Sequence, residues 1–125
     1  MSTSRAILIV AALAVTIAAP VQAAELLTPI LRNKIGMHAC TAMNKSTTAK
    51  ITVKIQIIHP DSDITTTTCG PRLIKPQEGL GCRANDAGLG NAAYCKITTN
   101  NALITRGALM VLGSDLGAKS MVEAE

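Results

Sequence analysis

The clearest pattern in the chain lies between residues 50 and 57, where Ile51, Val53, Ile55 and Ile57 alternate with Lys50, Thr52, Lys54 and Gln56. Apolar residues two positions apart share one face of an extended chain, so this segment predicts a half-buried β-strand. The same reading yields strands elsewhere, divided by turn residues. Residues 25–34 open with Leu26 and Leu27, are interrupted by Pro29 and resume at Ile30 and Leu31, an irregular leading strand. Residues 37–43 form a short strand carrying Cys40, followed by the polar turn Asn44-Lys45-Ser46-Thr47-Thr48. His59-Pro60-Asp61-Ser62-Asp63 supplies the next turn, with His59 read as a turn residue. Ile64 and the threonines 65–68 then lead to Cys69, and Gly70-Pro71 is expected to break that strand.

Leu73 and Ile74 precede the turn Lys75-Pro76-Gln77-Glu78-Gly79, a short strand covers residues 80–83, and residues 85–91 are loop. Residues 92–99 set Ala93, Cys95 and Ile97 on one side and Tyr94 and Lys96 on the other. Asn100-Asn101 turns the chain into a final strand at 103–112, where Gly107 and the two-residue turn favour a hairpin over a helix. The tail after Gly113 alternates small and charged residues and is expected to fray. About seven short strands separated by Gly, Pro, Asn and Asp turns predict an all-β chain folded as an antiparallel β-sandwich.

The first residues break this pattern. Arg5 supplies a positive start, residues 6–19 an apolar stretch, and Val21-Gln22-Ala23 a small-residue cleavage signal. Residues 1–23 thus read as a signal segment cut after Ala23, and residues 24–125 as one domain. The apolar stretch is shorter than the roughly 18 to 20 residues that cross a bilayer, so no stable membrane insertion is expected once it is removed. The cysteine that bacterial lipid anchoring needs at the first mature position is absent.

Cys40, Cys69, Cys82 and Cys95 all follow the expected cut. An even number of cysteines in an exported chain of about 100 residues points to two disulfides and an oxidising compartment, periplasmic or extracellular. Of the three possible connectivities, Cys40 with Cys95 and Cys69 with Cys82 is favoured. Cys40 and Cys95 sit in the middle of alternating segments, where a side chain can cross a core, and the second pair closes a short loop. The spacing contains no C-x-x-C pair and no histidine placed to complete a zinc knuckle.

Charge and composition exclude several chemistries. The net charge of +4 falls by the one unit of Arg5 when the leader is removed, and the lysines are spread between apolar positions. No nucleic-acid surface is expected from such a distribution. Tyr94 is the only aromatic ring of the Phe, Tyr and Trp class, so stacking platforms are excluded. Met37, His38 and Met43 lie close together and are soft candidates for copper, yet alternation sets both methionines opposite His38 and favours them as core filler. Asp61, Asp63 and Asp86 lack the ligand spacing of a calcium loop. Ser62 and Ser114 have no triad setting, and no paired catalytic groups point to an enzyme or to a cofactor. Arg106 interrupts an apolar strand and reads as an outward-pointing side chain, with a pairing to Glu78 as the alternative.

The order of these features resembles a family of small exported bacterial proteins with an immunoglobulin-like sandwich and no established activity. The resemblance rests on the C-x-x-x-N of Cys40 and Asn44, the strand at 50–57 and the turn Lys75-Pro76-Gln77-Glu78-Gly79. It continues in Ala93-Tyr94-Cys95-Lys96-Ile97 and Arg106-Gly107-Ala108-Leu109, and it spans residues 26–112. It implies a sandwich and a bridge between Cys40 and Cys95, but no reaction; Cys69 and Cys82 are additions to the pattern. The resulting expectation is a non-enzymatic protein-binding or structural module of the cell envelope whose edge strands offer backbone groups to an unidentified protein partner. The alternatives are a fimbria-like assembly subunit completed by a neighbour's strand, and a small copper carrier using Met37, His38 or His59.

Overall fold

The computed structural model describes residues 23–32, 37–60, 64–84, 92–113 and 118–125. Every regular element among them is a strand: β1 Ala24–Leu27, β2 Leu31–Arg32, β3 Met37–Asn44, β4 Ile51–His59, β5 Ile64–Ile74, β6 Gly79–Arg83, β7 Ala92–Thr99, β8 Thr105–Leu112 and β9 Ala118–Glu123. Nine strands thus replace the expected seven or so. The predicted leader lies outside the described residues except for Ala23. No helix among the described residues is long and apolar enough to cross a membrane.

The strands form two antiparallel sheets. One has the order β1-β7-β4-β5, with β2 also on β7, and the other β6-β3-β8-β9. β4 is the spine of the first sheet because its alternation is perfect at the core face: Ile51, Val53, Ile55 and Ile57 are all fully buried, while Thr52 is exposed. Ile97 from β7 and Leu109 from β8 meet them from neighbouring and opposing strands. Burial of each such side chain contributes about 1.5–3 kcal/mol, which lets a core without Phe or Trp form.

Both cysteine bridges run between the sheets. Cys40 on β3 is joined to Cys95 on β7, with Cα atoms 6.3 Å apart, and Cys69 on β5 to Cys82 on β6, at 5.9 Å. The second closes few residues in sequence but is no local staple, because β5 and β6 belong to different sheets. Two disulfides indicate an oxidising, non-cytoplasmic setting.

Three sequence expectations are corrected. Gly70-Pro71 does not end β5: the pair, joined by a cis bond, sits in a register shift where Ile55 faces Cys69 and Val53 faces Arg72. The extra residue is absorbed as a bulge. Gly70 has φ 87°, and a Cβ there would lie 2.7 Å from the Val53 carbonyl oxygen, so glycine is required. The segment after Gly113 does not simply fray, since β9 pairs with β8 and packs Val122 and Ala124 against the core. Leu103 is 89% exposed in the turn before β8, and that turn makes no hairpin, because β7 and β8 lie in opposite sheets.

Buried polar groups tie the connections down. Asn44 at the end of β3 donates from Nδ2 to the carbonyls of Ala49 (2.7 Å) and Ile74 (3.3 Å) and accepts the Ser46 N–H at 3.0 Å. At the β7–β8 turn the Thr105 hydroxyl donates to the Asn101 carbonyl at 2.6 Å, so the Thr99 hydroxyl donates to Thr105 Oγ1 at 2.8 Å. Thr28 holds the strand entry by exchanging bonds with the main chain of Cys95.

Candidate functional site

The side chains weighed from sequence do not converge. Along β3 the even positions 38, 40, 42 and 44 are buried, because Cys40 must point inward to reach Cys95. Met37 and Met43 therefore fall on the outer face, and Met43 is 52% exposed, so neither is core filler. Met110 and Met121 face each other across β8 and β9, and Met110 also faces Ala39, so they share that outer face. Arg106, opposite Met43, is exposed beside a depression that Glu123 also lines. Asp61, Ser62, Asp63, Asp86 and Ser114 lie outside the described residues.

The two histidines do come together, which sequence reasoning missed. His59 is no turn residue: it is the last residue of β4, fully buried, and its Nδ1 bonds to the Ala92 carbonyl at 2.9 Å. His38 is buried on β3 and bonds through Nε2 to the Leu31 carbonyl at 3.0 Å. Since each carbonyl is an acceptor, each of these ring nitrogens carries the proton and donates. The rings stand edge to face with centroids 6.1 Å apart. Leu31 and Ala92 lie at the β2–β7 ladder, so the histidines hang the ends of β3 and β4 from one corner of the sandwich. That is a structural role with a visible cause. Among the described residues no group of three or more His, Cys, Asp or Glu side chains is placed to hold a metal ion.

Among the described residues the main chain also leaves hydrogen-bonding groups at the edge of the second sheet. One lateral side of the sandwich is sealed: Leu27 and Glu125 exchange hydrogen bonds of 2.9 and 3.1 Å, stitching β1 to the segment that follows β9. The other side carries β5 and β6. β5 is blunted as natural edges are, with two register shifts and Pro71. β6 is not. Its register with β3 is unbroken from Met43↔Gly79 to Ala39↔Arg83, and among the described residues it pairs with β3 alone.

The direction of its free groups follows from the ladder. Asn44 N–H donates to the Glu78 carbonyl and Ala84 N–H to the His38 carbonyl. Even positions of β6 therefore bond inward to β3, and the N–H and C=O groups of Gly79, Gly81 and Arg83 point outward. A Cβ on Gly81 would meet nothing within 4 Å. Beside this edge lies a concavity of about 470 Å³ whose lining includes Ala39, Thr41, Gly81, Met110 and Leu112. A glycine in the middle of a strand weakens it and commonly marks the close approach of another backbone.

No known protein family, curated protein or solved structure matches the chain.

Proposed function

We propose that the protein is a non-enzymatic module of the cell envelope, exported by a leader cut after Ala23, that engages another protein through the β6 edge. The observation that carries this reading is the regular, unguarded run of Gly79, Gly81 and Arg83 main-chain groups, two of the three residues having no side chain to obstruct an incoming strand. β-strand addition uses such an edge for affinity and the pockets beside it for selectivity, and the adjoining concavity supplies one. Export is supported by the two disulfides and by the position of β1, which starts at Ala24, the residue after the expected cut. The compartment is then periplasmic or extracellular.

An immunoglobulin-like arrangement is part of this proposal. β3 pairs with β6, β4 pairs with β7, and a bridge joins β3 to β7, as strands B, E, C and F and the inter-sheet disulfide do in that fold. The outer strands trade places relative to it, since β1 lies on β7 and β8 on β3. The fimbria-like alternative has less support, because β8 has neighbours from its own chain on both sides. The copper-carrier alternative has less support because Met37 projects from β3 on the face opposite His38.

A photoreactive residue in place of Gly81, expressed in the native envelope, tests the reading. Discrete protein adducts are expected from that position and not from the same probe at exposed Thr52 on β4. Equal labelling at both sites, or none at position 81, rejects it.

A further inference from the structure

We infer that the outer face of the β6-β3-β8-β9 sheet binds an anionic amphiphile, a long-chain carboxylate whose alkyl tail lies across the strands and whose head group meets Arg83. Such a ligand sits on the face of the sheet and not along its edge, so its binding and protein capture at β6 stand or fall separately.

The tail site follows from register. Gly81, Thr41, Ala108 and Glu123 stand opposite one another on β6, β3, β8 and β9, in one row across all four strands. Cys82, Cys40, Leu109 and Val122 turn the alternate positions to the core, so this row faces outward. Its first three residues are small, and longer side chains stand in the rows beside it, Arg83 and Met110 in one and Met43 and Arg106 in the other. The two concavities of this face, about 470 and 250 Å³, meet at Thr41, which lines both. At the usual strand spacing the trough runs roughly 14 Å from β6 to β9.

The chemistry of the floor selects an alkyl chain. β3 and β8 each have a neighbour on both sides, so their main-chain groups are taken up in the ladders. A peptide laid across them would gain no ladder bonds in exchange for those it gives up to water. No Phe, Tyr or Trp ring lines either concavity, which removes stacking. Apolar contact remains, and unbranched methionine walls repack readily around a flexible tail.

Charge sets the direction. Arg83 and Arg106 are exposed, and neither is in an ion pair among the described residues. Arg106 has Glu123 one row away on the neighbouring strand, whereas the neighbours of Arg83 on this face are Ala39 and Gly81. The β6 end of the trough is therefore positive and the β9 end negative. That places the carboxylate at Arg83, where a guanidinium holds both of its oxygens.

Isothermal titration calorimetry of the disulfide-intact chain with dodecanoate, below its micelle concentration, tests the site. Saturable binding is expected, at least about tenfold tighter than that of octanoate, because four more methylenes leave water. Dodecyltrimethylammonium, with a similar tail and the opposite charge, should bind at least about tenfold more weakly than dodecanoate. Arg83→Gln should weaken dodecanoate about tenfold, and Arg106→Gln by no more than about twofold. Gly81→Leu should abolish binding and leave cooperative unfolding intact, since a Cβ there meets nothing within 4 Å and the side chain fills the trough. No binding, equal binding of the two head groups, or an Arg83→Gln protein as tight as the parent overturns the inference. Binding to phosphatidylglycerol vesicles without binding to dodecanoate also overturns it, and assigns the face to a membrane surface.

Discussion

Leu27 and Glu125 exchange both of their main-chain hydrogen bonds, N–H to carbonyl in each direction. This one pair joins the first strand of one sheet to the residues after the last strand of the other, while the Ala124 N–H donates to the Gly107 carbonyl beside it. Ending the chain after Glu123 should therefore loosen β1 first. Amide exchange at Leu27 should lose its protection while β4 keeps its own, and overall stability should fall by about 1–2 kcal/mol in urea. Unchanged exchange at Leu27 would show that the seam contributes nothing.

Asn44 is fully buried and serves three backbone groups at once. Asn44→Ala leaves the carbonyls of Ala49 and Ile74 without their donor, and the expected cost is about 2–3 kcal/mol. Asn44→Asp keeps the acceptor for Ser46 but loses both donated bonds, so it should be no better than alanine. Chemical denaturation of the two variants side by side checks the order.

Gly107 and Ile97 face each other from opposite sheets so closely that a Cβ on Gly107 would overlap Ile97 Cδ1. Gly107→Ala should cost about 1–3 kcal/mol through overpacking. Ile97→Val alone should cost about 0.5–1.5 kcal/mol, but it removes the overlapping methyl, so the double variant should be more stable than the sum of its parts. Additive losses would mean that the clash is relieved some other way.

The two bridges close loops of very different length, with sequence separations of 55 and 13. Chain entropy assigns them about 4 and about 3 kcal/mol respectively. Replacing Cys40 and Cys95 by alanine should therefore lower the midpoint of thermal unfolding more than the same change at Cys69 and Cys82. Cys40 and Cys95 are also fully buried in the core cluster, which adds a packing loss to the first pair. Calorimetry on the two double variants gives the comparison directly, and the reverse order would place the main cross-link at the β5–β6 side.

Much of the strand layout was legible because alternation is a local property. Ile51, Val53, Ile55 and Ile57 face one way in any extended chain, and Ala93, Cys95 and Ile97 do so for the same reason. Val122 and Ala124 carry the same period-two signal, but two small apolar residues in a charged tail are too weak a pattern to announce β9. His59 reads as a turn residue because Pro60 and two aspartates follow it; its pairing with Ile64 on β5 makes it the end of a strand, and its ring bonds to the Ala92 carbonyl, 33 positions away.

The candidate edge was less legible still. The short strand at 80–83 can be read from residues, but that it ends a sheet, and on which side its free groups point, depends on β3 taking its other flank.

What the amino-acid order determined by itself is which residues extend, which face of each strand is apolar, and that four cysteines leave two bridges to be made. Those follow from side-chain geometry and solvation, felt over a few residues. The tertiary structure decided which sheet each strand joins, that Gly70-Pro71 is a bulge and no terminus, and that β5 and β6 are covalently tied across the core. A main-chain N–H bonds equally well to any carbonyl, so strand partners are chosen only when distant segments compete to bury their apolar faces together.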